Sequence, residues 1–478
     1  MVTIIAHNLK AFKSNSWDFI MTKKLLSCVL PLLMATSVAH AEIKLIAVGQ
    51  VDGSYRDLSV RTAAPLENGT IGNILGGVGS GLAYAGGNIF IALPDRGPNA
   101  TAYDATRDDT TSYINRFQTF DLSLSANPNY NAAVVGSMPF LLSPQLTATT
   151  LLSSAAQLNY GVNGAPKWNT ASKNYYTGRS DGFNPALNST NPNNARLDPE
   201  GVRVSNDGKS VFISDEYGPY VYQFSRATGQ LIKSFKLPDH FAVTNLRSFE
   251  KNADGEIAMN TAGRTSNKGM EGLAITPDGL TLVGVMQANL IQDTKKYIRI
   301  VTIDIATGTT HEYAYLLTDG SGLSEIVAIN NHEFLVDERD GAGLGDGSAA
   351  VVKKLFKIDL ATATDVSAVT KIDATTPLVA KTLFLDVVAA LTANGISATE
   401  VPAKIEAVAF GPDVRMGNKI KHTLFIANDN DFLPTAVTPT GAVANPNKFF
   451  VFTVDKTDLP TFVPQKIAPL LIDKHDRG

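Results

Sequence analysis

Short runs of alternating apolar and polar residues, each broken by a two- or three-residue turn, recur along most of this chain. The clearest is Arg196 to Phe224, RLDPEGVRVSNDGKSVFISDEYGPYVYQF. Val202 and Val204 give one period-two run, Asn206-Asp207-Gly208 gives the turn, and Val211-Phe212-Ile213 opens a second run, which predicts a β-hairpin. A plain hairpin does not need an acid at each open end. Here Glu200 precedes the first strand, and Asp215-Glu216 stand where the second runs out, so the carboxylates are expected to converge at one rim of a sheet.

The unit repeats. Gly269 to Ala274 leads through Pro277-Asp278-Gly279 to Leu282 to Val285 and Gln287. Leu323 to Val327 leads through Asn330-Asn331 to Phe334 to Val336 and Asp337-Glu338-Arg339. Lys404 to Val408 leads through Gly411-Pro412-Asp413 to Leu424 to Ala427 and Asn428-Asp429. Earlier, Gly79 to Ala83 leads to Ile89 to Leu93 and Asp95-Arg96. Of these five copies, four carry Glu in the opening segment (Glu200, Glu271, Glu325, Glu406), and the first has Ser80 at the corresponding place.

From Ser80 the spacings are 120, 71, 54 and 81 residues. Units of this size made of strands and turns predict an all-β chain, a β-propeller of four-stranded antiparallel sheets. The long first interval has room for a further blade, so six blades are expected. Arg116 to Leu122 reads as an outer strand of the first blade. Leu383 to Ala393 has helical periodicity, and Phe449 to Val454 is expected to close the ring beside the strand from Ile43. Residues 123–195 read as an irregular insertion or an atypical blade.

In a propeller the innermost strands line a channel, so one Glu per blade becomes a ring of carboxylates. Such a ring repels itself unless a cation, protons or basic partners neutralise it. The plain alternative is that each Glu ends a strand or pairs with a nearby Arg. There is no H-E-x-x-H, and Cys28 is the only cysteine, which speaks against a zinc site of the usual kinds. Nor is there a G-x-S-x-G elbow; Gly79-Ser80-Gly81 is a short echo of one, and His240 is the best-placed histidine for a serine mechanism.

Charge and targeting change the picture at the N-terminus. Met21 to Lys24, the apolar Leu25 to Met34 and Ala39-His40-Ala41 read as a cleavable signal peptide over 21–41, with 1–20 as an over-long start. Removing 1–41 takes away four Lys and one Asp and leaves 37 basic against 44 acidic side chains, a net −7. Residues 42–478 are then expected as one exported domain, periplasmic or secreted, needing no disulfides. No segment is apolar and long enough for a membrane span, and no basic cluster suggests nucleic acid. The expected state is a monomer acting on a small-molecule ester.

SGLAY (80–84) with LPDRGPN (93–99), DPEGVRV (198–204) with ISDEYGPYVYQF (213–224), GMEGLAITPDGLTL (269–282), LSEIVAI (323–329) with LVDERDG (335–341), and KIEAVAFGPD (404–413) with ANDNDF (427–432) together resemble the phytase-like propeller family described as having esterase-like activity of phytase. The resemblance implies an exported hydrolase of phosphoric or carboxylic esters, with calcium as its metal. Ca²⁺ takes roughly six to eight oxygen ligands in irregular geometry. Glu200, Glu271, Glu325, Glu406, Asp95, Asp215, Asp337 and Asp429 are the candidate metal ligands. Glu271, Asp215 and Arg96 are the candidate catalytic residues, and Arg96, Lys268 and Arg339 the candidates for an anionic substrate group. The alternatives are a carboxylic-ester or lactone hydrolase, and a non-catalytic calcium-stabilised propeller that binds an envelope partner.

Overall fold

The computed structural model describes residues 43–99, 110–160, 165–179, 189–246 and 257–470. The signal peptide over 21–41, the stretch 1–20 and Cys28 lie outside the described residues. Among these residues there are five four-stranded antiparallel sheets, one fewer than the spacing suggests.

From the channel outward, the first blade is Gly81–Tyr84, Ile89–Leu93, Arg116–Ala126 and Phe140–Leu151. The second is Pro199–Val204, Ser210–Asp215, Tyr220–Ser225 and Leu231–Lys236. The third is Met270–Ile275, Thr281–Met286, Tyr297–Asp304 and Thr310–Leu316. The fourth is Gly322–Ala328, Glu333–Arg339, Lys353–Asp359 and Lys381–Asp386. The fifth takes Lys404–Phe410, Lys419–Asp429 and Asn447–Val454, and borrows Lys44–Val51 as its outermost strand. Each innermost strand packs against the next, and the fifth against the first, so the ring is closed.

The blade count differs from the expectation because of the long first interval. Part of it is consumed by the two outer strands of the first blade, 11 and 12 residues long. Beyond Leu151, the described residues up to Asp198 form only the two-residue pair Ser153–Ser154 with Asn174–Tyr175. The helix expected over 383–393 begins later: Lys381–Asp386 is the outer strand of the fourth blade, and Val387–Ala393 is helical. Asp386 caps this helix by accepting from Ala389 N at 2.9 Å.

Apolar side chains on alternate strand positions fill the seams between blades. Between the first and second blades, Leu93, Phe117, Val202, Ile213 and Phe224 are fully buried, each contributing about 1.5–3 kcal/mol of transfer free energy. Near the axis the strands approach closely. A Cβ at Gly201 would lie 2.6 Å from Leu273 N, and one at Gly272 would lie 2.7 Å from Glu325 Cα, so the glycine after Glu200 and Glu271 sets how narrow the ring can be.

At the exit ends of the innermost strands the tail crosses the channel. Val463 N donates to Ile329 O at 2.9 Å, and Ala468 N to Asn206 O at 2.9 Å. Gln465 Nε2 donates to Val204 O at 2.8 Å. Between this tail and Arg203 lies a cavity of only about 60 Å³. The acids stand at the other end of the innermost strands.

Candidate functional site: an acid-lined channel mouth

The glutamates reach the channel through a recurrent backbone device. Strand register slips at Glu200 (between Pro199 and Val202), at Glu271 (between Met270 and Gly272), at Glu325 (between Leu323 and Ile326) and at Glu406 (between Ile405 and Ala407). A β-bulge adds a residue on one strand and re-aims a side chain that would otherwise alternate with its neighbours.

Glu200 is the hub. One carboxylate oxygen each of Asp95, Asp198 and Glu200 lies within 4.8 Å of the others, and the same is true of Glu200, Glu216 and Glu271. All five side chains are buried. Burial first, then repulsion from Glu271, Asp198 and Glu216, pushes the Glu200 carboxyl well above its usual range. Burial and the neighbouring acids do the same to Glu216 and to Asp95. Glu200 accepts no hydrogen bond among the described residues. Glu216 Oε1 and Glu271 Oε2 are buried without a hydrogen-bond partner, while Gln287 Nε2 donates to Glu271 Oε1 at 2.7 Å.

Cations stand around this group. Arg96 Nη1 lies 3.1 Å from Asp198 Oδ2, its backbone N–H donates to Asp198 Oδ1, and its Nη2 donates to Asn99 Oδ1 at 3.0 Å. Across the mouth, Arg339 pairs with Glu406 and lies 3.7 Å from Glu271 Oε1. Lys404 pairs with Asp429, lies 2.8 Å from Asp431 and 3.5 Å from Glu406. Burial works against the charge on Lys404, but these acids hold its amine well above the usual lysine range.

Glu325 stands apart from the mouth. Arg203 reaches across the axis to it at 3.1 Å, and Leu273 N and Ile326 N donate to the same oxygen at 3.1 and 2.9 Å. The Arg203 guanidinium also donates to Leu82 O at 2.8 Å and Ile326 O at 2.7 Å. It ties the first, second and fourth blades together below the mouth.

The strand-end aspartates have backbone work. Asp215 accepts from the N–H groups of Asp198, Tyr217 and Gly218 at 3.1, 3.0 and 3.0 Å. Asp95 accepts from Gly97 N and Asp429 from Asp431 N, the Asx pattern that ends a strand in a turn. Asp337 differs: both its oxygens are buried without a partner, and burial pushes its carboxyl up to about 8. Lys268 is exposed on the turn before the third blade.

Of the residues singled out in the sequence, the structure therefore brings together Asp95, Glu200, Glu271 and Arg96. It places Glu406, Asp429 and Arg339 in ion pairs beside them, and sets Asp215, Glu325, Asp337 and Lys268 elsewhere. Sequence reasoning passed over Asp198, Lys404 and Arg203, and it named Glu216 beside Asp215 but chose Asp215 as the ligand. Asp198 and Lys404 each stand two residues before a motif Glu, a signal that was present. The histidines pair away from the mouth, His240 with Glu312 at 3.0 Å and His422 with Asp413 at 2.8 Å.

The donor set fits a hard divalent cation. It is all oxygen, it is buried, and two of its oxygens have no hydrogen-bond partner, whereas an uncompensated group of such charges is costly. Asp95, Asp198, Glu200, Glu216 and Glu271 are the residues that would hold it.

Fold and site thus define a closed five-bladed propeller with a group of buried acids at one end of its axis. The chain belongs to the phytase-like family, described as esterase-like activity of phytase, whose model matches residues 73–432. An uncharacterized secreted protein of Arthroderma benhamiae is 29% identical over 325 residues, 56% of this chain, and the match spans 60% of that protein's length. Among solved structures, a luciferin-regenerating enzyme is 9% identical with a TM-score of 0.30, over 83% of this chain and 97% of that one. Hydrazine synthase of Kuenenia stuttgartiensis is 10% identical with a TM-score of 0.28, over 74% and 78%. Likenesses this weak carry no argument. No helix among the described residues is long and apolar enough to cross a membrane.

Proposed function

We propose that the chain is an exported, calcium-dependent hydrolase of phosphoric esters that works at the acid-lined mouth. The observation that carries the reading is the Glu200-centred group of five buried carboxylates, with cations on both sides. Bound there, Ca²⁺ would polarise an ester oxygen and lower the pKa of water.

The chain's own residues supply the rest. Arg96 and Arg339 flank the acids from opposite sides and would hold an anionic group between them by charge-assisted hydrogen bonds. Lys404 adds a third positive charge next to Arg339. Glu271 Oε2, free of hydrogen bonds, accepts the proton of an attacking water, and Gln287 keeps the other oxygen fixed. Asp215 acts indirectly, because its three backbone bonds set the turn that presents Glu216. The tail and Arg203 close the far end of the axis. The secreted relative supports export.

Hydrolysis of p-nitrophenyl phosphate and p-nitrophenyl acetate, each with calcium and with EGTA, tests the reading. Calcium-dependent release from the phosphate, lost in Glu271→Gln, is expected. Release from the acetate alone moves the assignment to carboxylic esters. Calcium-dependent melting with no turnover of either ester makes the site structural.

A further inference from the structure

A second concavity lies beside the mouth. It encloses about 290 Å³, with Trp168 and Tyr160 in its wall and Glu67, Arg179 and Lys167 around it. Its position is set by the backbone. Thr177 bridges to both Ile114 and Arg196, and a Cβ on Gly178 would lie 1.9 Å from Arg96 O. The segment that carries Arg179 therefore runs against the backbone of the residue whose guanidinium holds Asp198.

The groups in this cavity have a particular balance. The Tyr160 hydroxyl is already used, donating to Tyr175 O at 2.8 Å and accepting from Asn169 Nδ2 at 2.7 Å. Trp168 makes no hydrogen bond among the described residues and is half-buried, with the Lys167 ammonium over one face of its ring, Nζ 4.8 Å from the centroid. Arg179 lies 2.6 Å from Glu67, so the ionic side is neutralised. One flat apolar face with one indole N–H, edged by fixed polar groups, suits a ligand that is apolar on its face and polar on its rim. A planar aromatic would leave the rim unmatched, and an alkyl chain would bury it without partners. A bare anion would have to compete with Glu67 for Arg179.

We propose that this cavity binds a sugar ring, its C–H face on the Trp168 indole and its hydroxyls on Glu67, Arg179 and Lys167. The site stands whether or not the mouth hydrolyses esters.

The sequence holds two tryptophans, Trp17 and Trp168, so the full chain carrying Trp17→Phe reports on Trp168 alone by fluorescence. It is titrated with glucose, galactose, mannose, N-acetylglucosamine, maltose and glucose 6-phosphate, with sorbitol and benzyl alcohol as open-chain and planar controls. A saturable shift with at least one ring sugar, neutral or phosphorylated, and none with sorbitol is expected. By calorimetry on the otherwise native chain, Trp168→Ala should then lose about tenfold or more in affinity and Trp168→Phe less. The proposal is overturned by no saturable response up to about 10 mM, by an equal response to sorbitol, by a response to benzyl alcohol alone, or by unchanged affinity in Trp168→Ala. Because none of these readings uses turnover, an inactive mouth and an empty cavity give different results.

Discussion

Glu200 and Glu325 occupy the same place in two copies of one motif, on the same kind of bulge, yet their surroundings are opposite. Glu325 has a guanidinium and two backbone N–H groups on one oxygen. Glu200 has four other carboxylates nearby and no hydrogen bond of its own among the described residues. Below the mouth Arg203 pairs directly with the motif glutamate, whereas at the mouth Arg96, Arg339 and Lys404 pair with Asp198, Glu406 and Asp429 and none pairs with Glu200. Glu325 is saturated at one oxygen only, its Oε2 being buried without a partner, and that one saturated oxygen is what Glu200 lacks. The repeat aims the side chain; the residues opposite decide whether it becomes a strut or a binding group.

Removing the strut should have the largest effect. Arg203→Met leaves the Glu325 charge and two carbonyl groups without their partner, and an expected loss of about 3–5 kcal/mol is read from urea denaturation. Adding Glu325→Gln should recover part of it, since the two residues act as one unit. Additive losses would show that the two ends of the pair are independent.

The next effect is on pH. Asp337 is raised by burial to about 8 in the folded chain, so its contribution is fully present below the unfolded value near 4 and is lost as pH rises through about 8. Apo stability in chelator should therefore fall between pH 5.5 and 8.5. Asp337→Asn should flatten that slope, gaining about 4 kcal/mol on the parent between pH 5 and the alkaline end. A parallel slope in the variant would assign the loss to other acids.

Glu200→Gln sharpens the contrast through a change of sign. In EGTA it relieves repulsion and should stabilise by about 1 kcal/mol, whereas with calcium it should lower the melting temperature. The same sign in both media would mean the mouth holds no cation. The smallest shift is expected for Asp215→Asn, about 1 kcal/mol, because one amide oxygen replaces two carboxylate oxygens that serve three backbone donors.

Much of this was legible from residue order. The five motif copies gave five blades with correct inner hairpins, and the pairing of the strand from Ile43 with that ending at Val454 was expected and found. The blade count went astray because an interval of 120 residues looks the same whether it holds a blade or two long strands and an irregular segment. Within Asp215-Glu216, either acid could face the channel; the Asx turn, which sequence does not display, gives Asp215 to the backbone and Glu216 to the mouth. The Arg203–Glu325 contact joins residues on opposite sides of the ring, and no local pattern announces it. Asp198 was in plain view in DPEG and needed only to be counted with its neighbour.

The borrowed outer strand of the fifth blade also carries a consequence in time. Lys44–Val51 is made early and its partner Asn447–Val454 nearly last, so during synthesis the early strand waits, with one edge open, for almost the whole chain to appear. Contacts this distant in sequence are slow to form, and an unpaired edge invites association with other chains. The ring is a structure that exists only once its final strand arrives, and a chain stopped before Asn447 would carry an unfinished seam rather than a smaller version of the same protein.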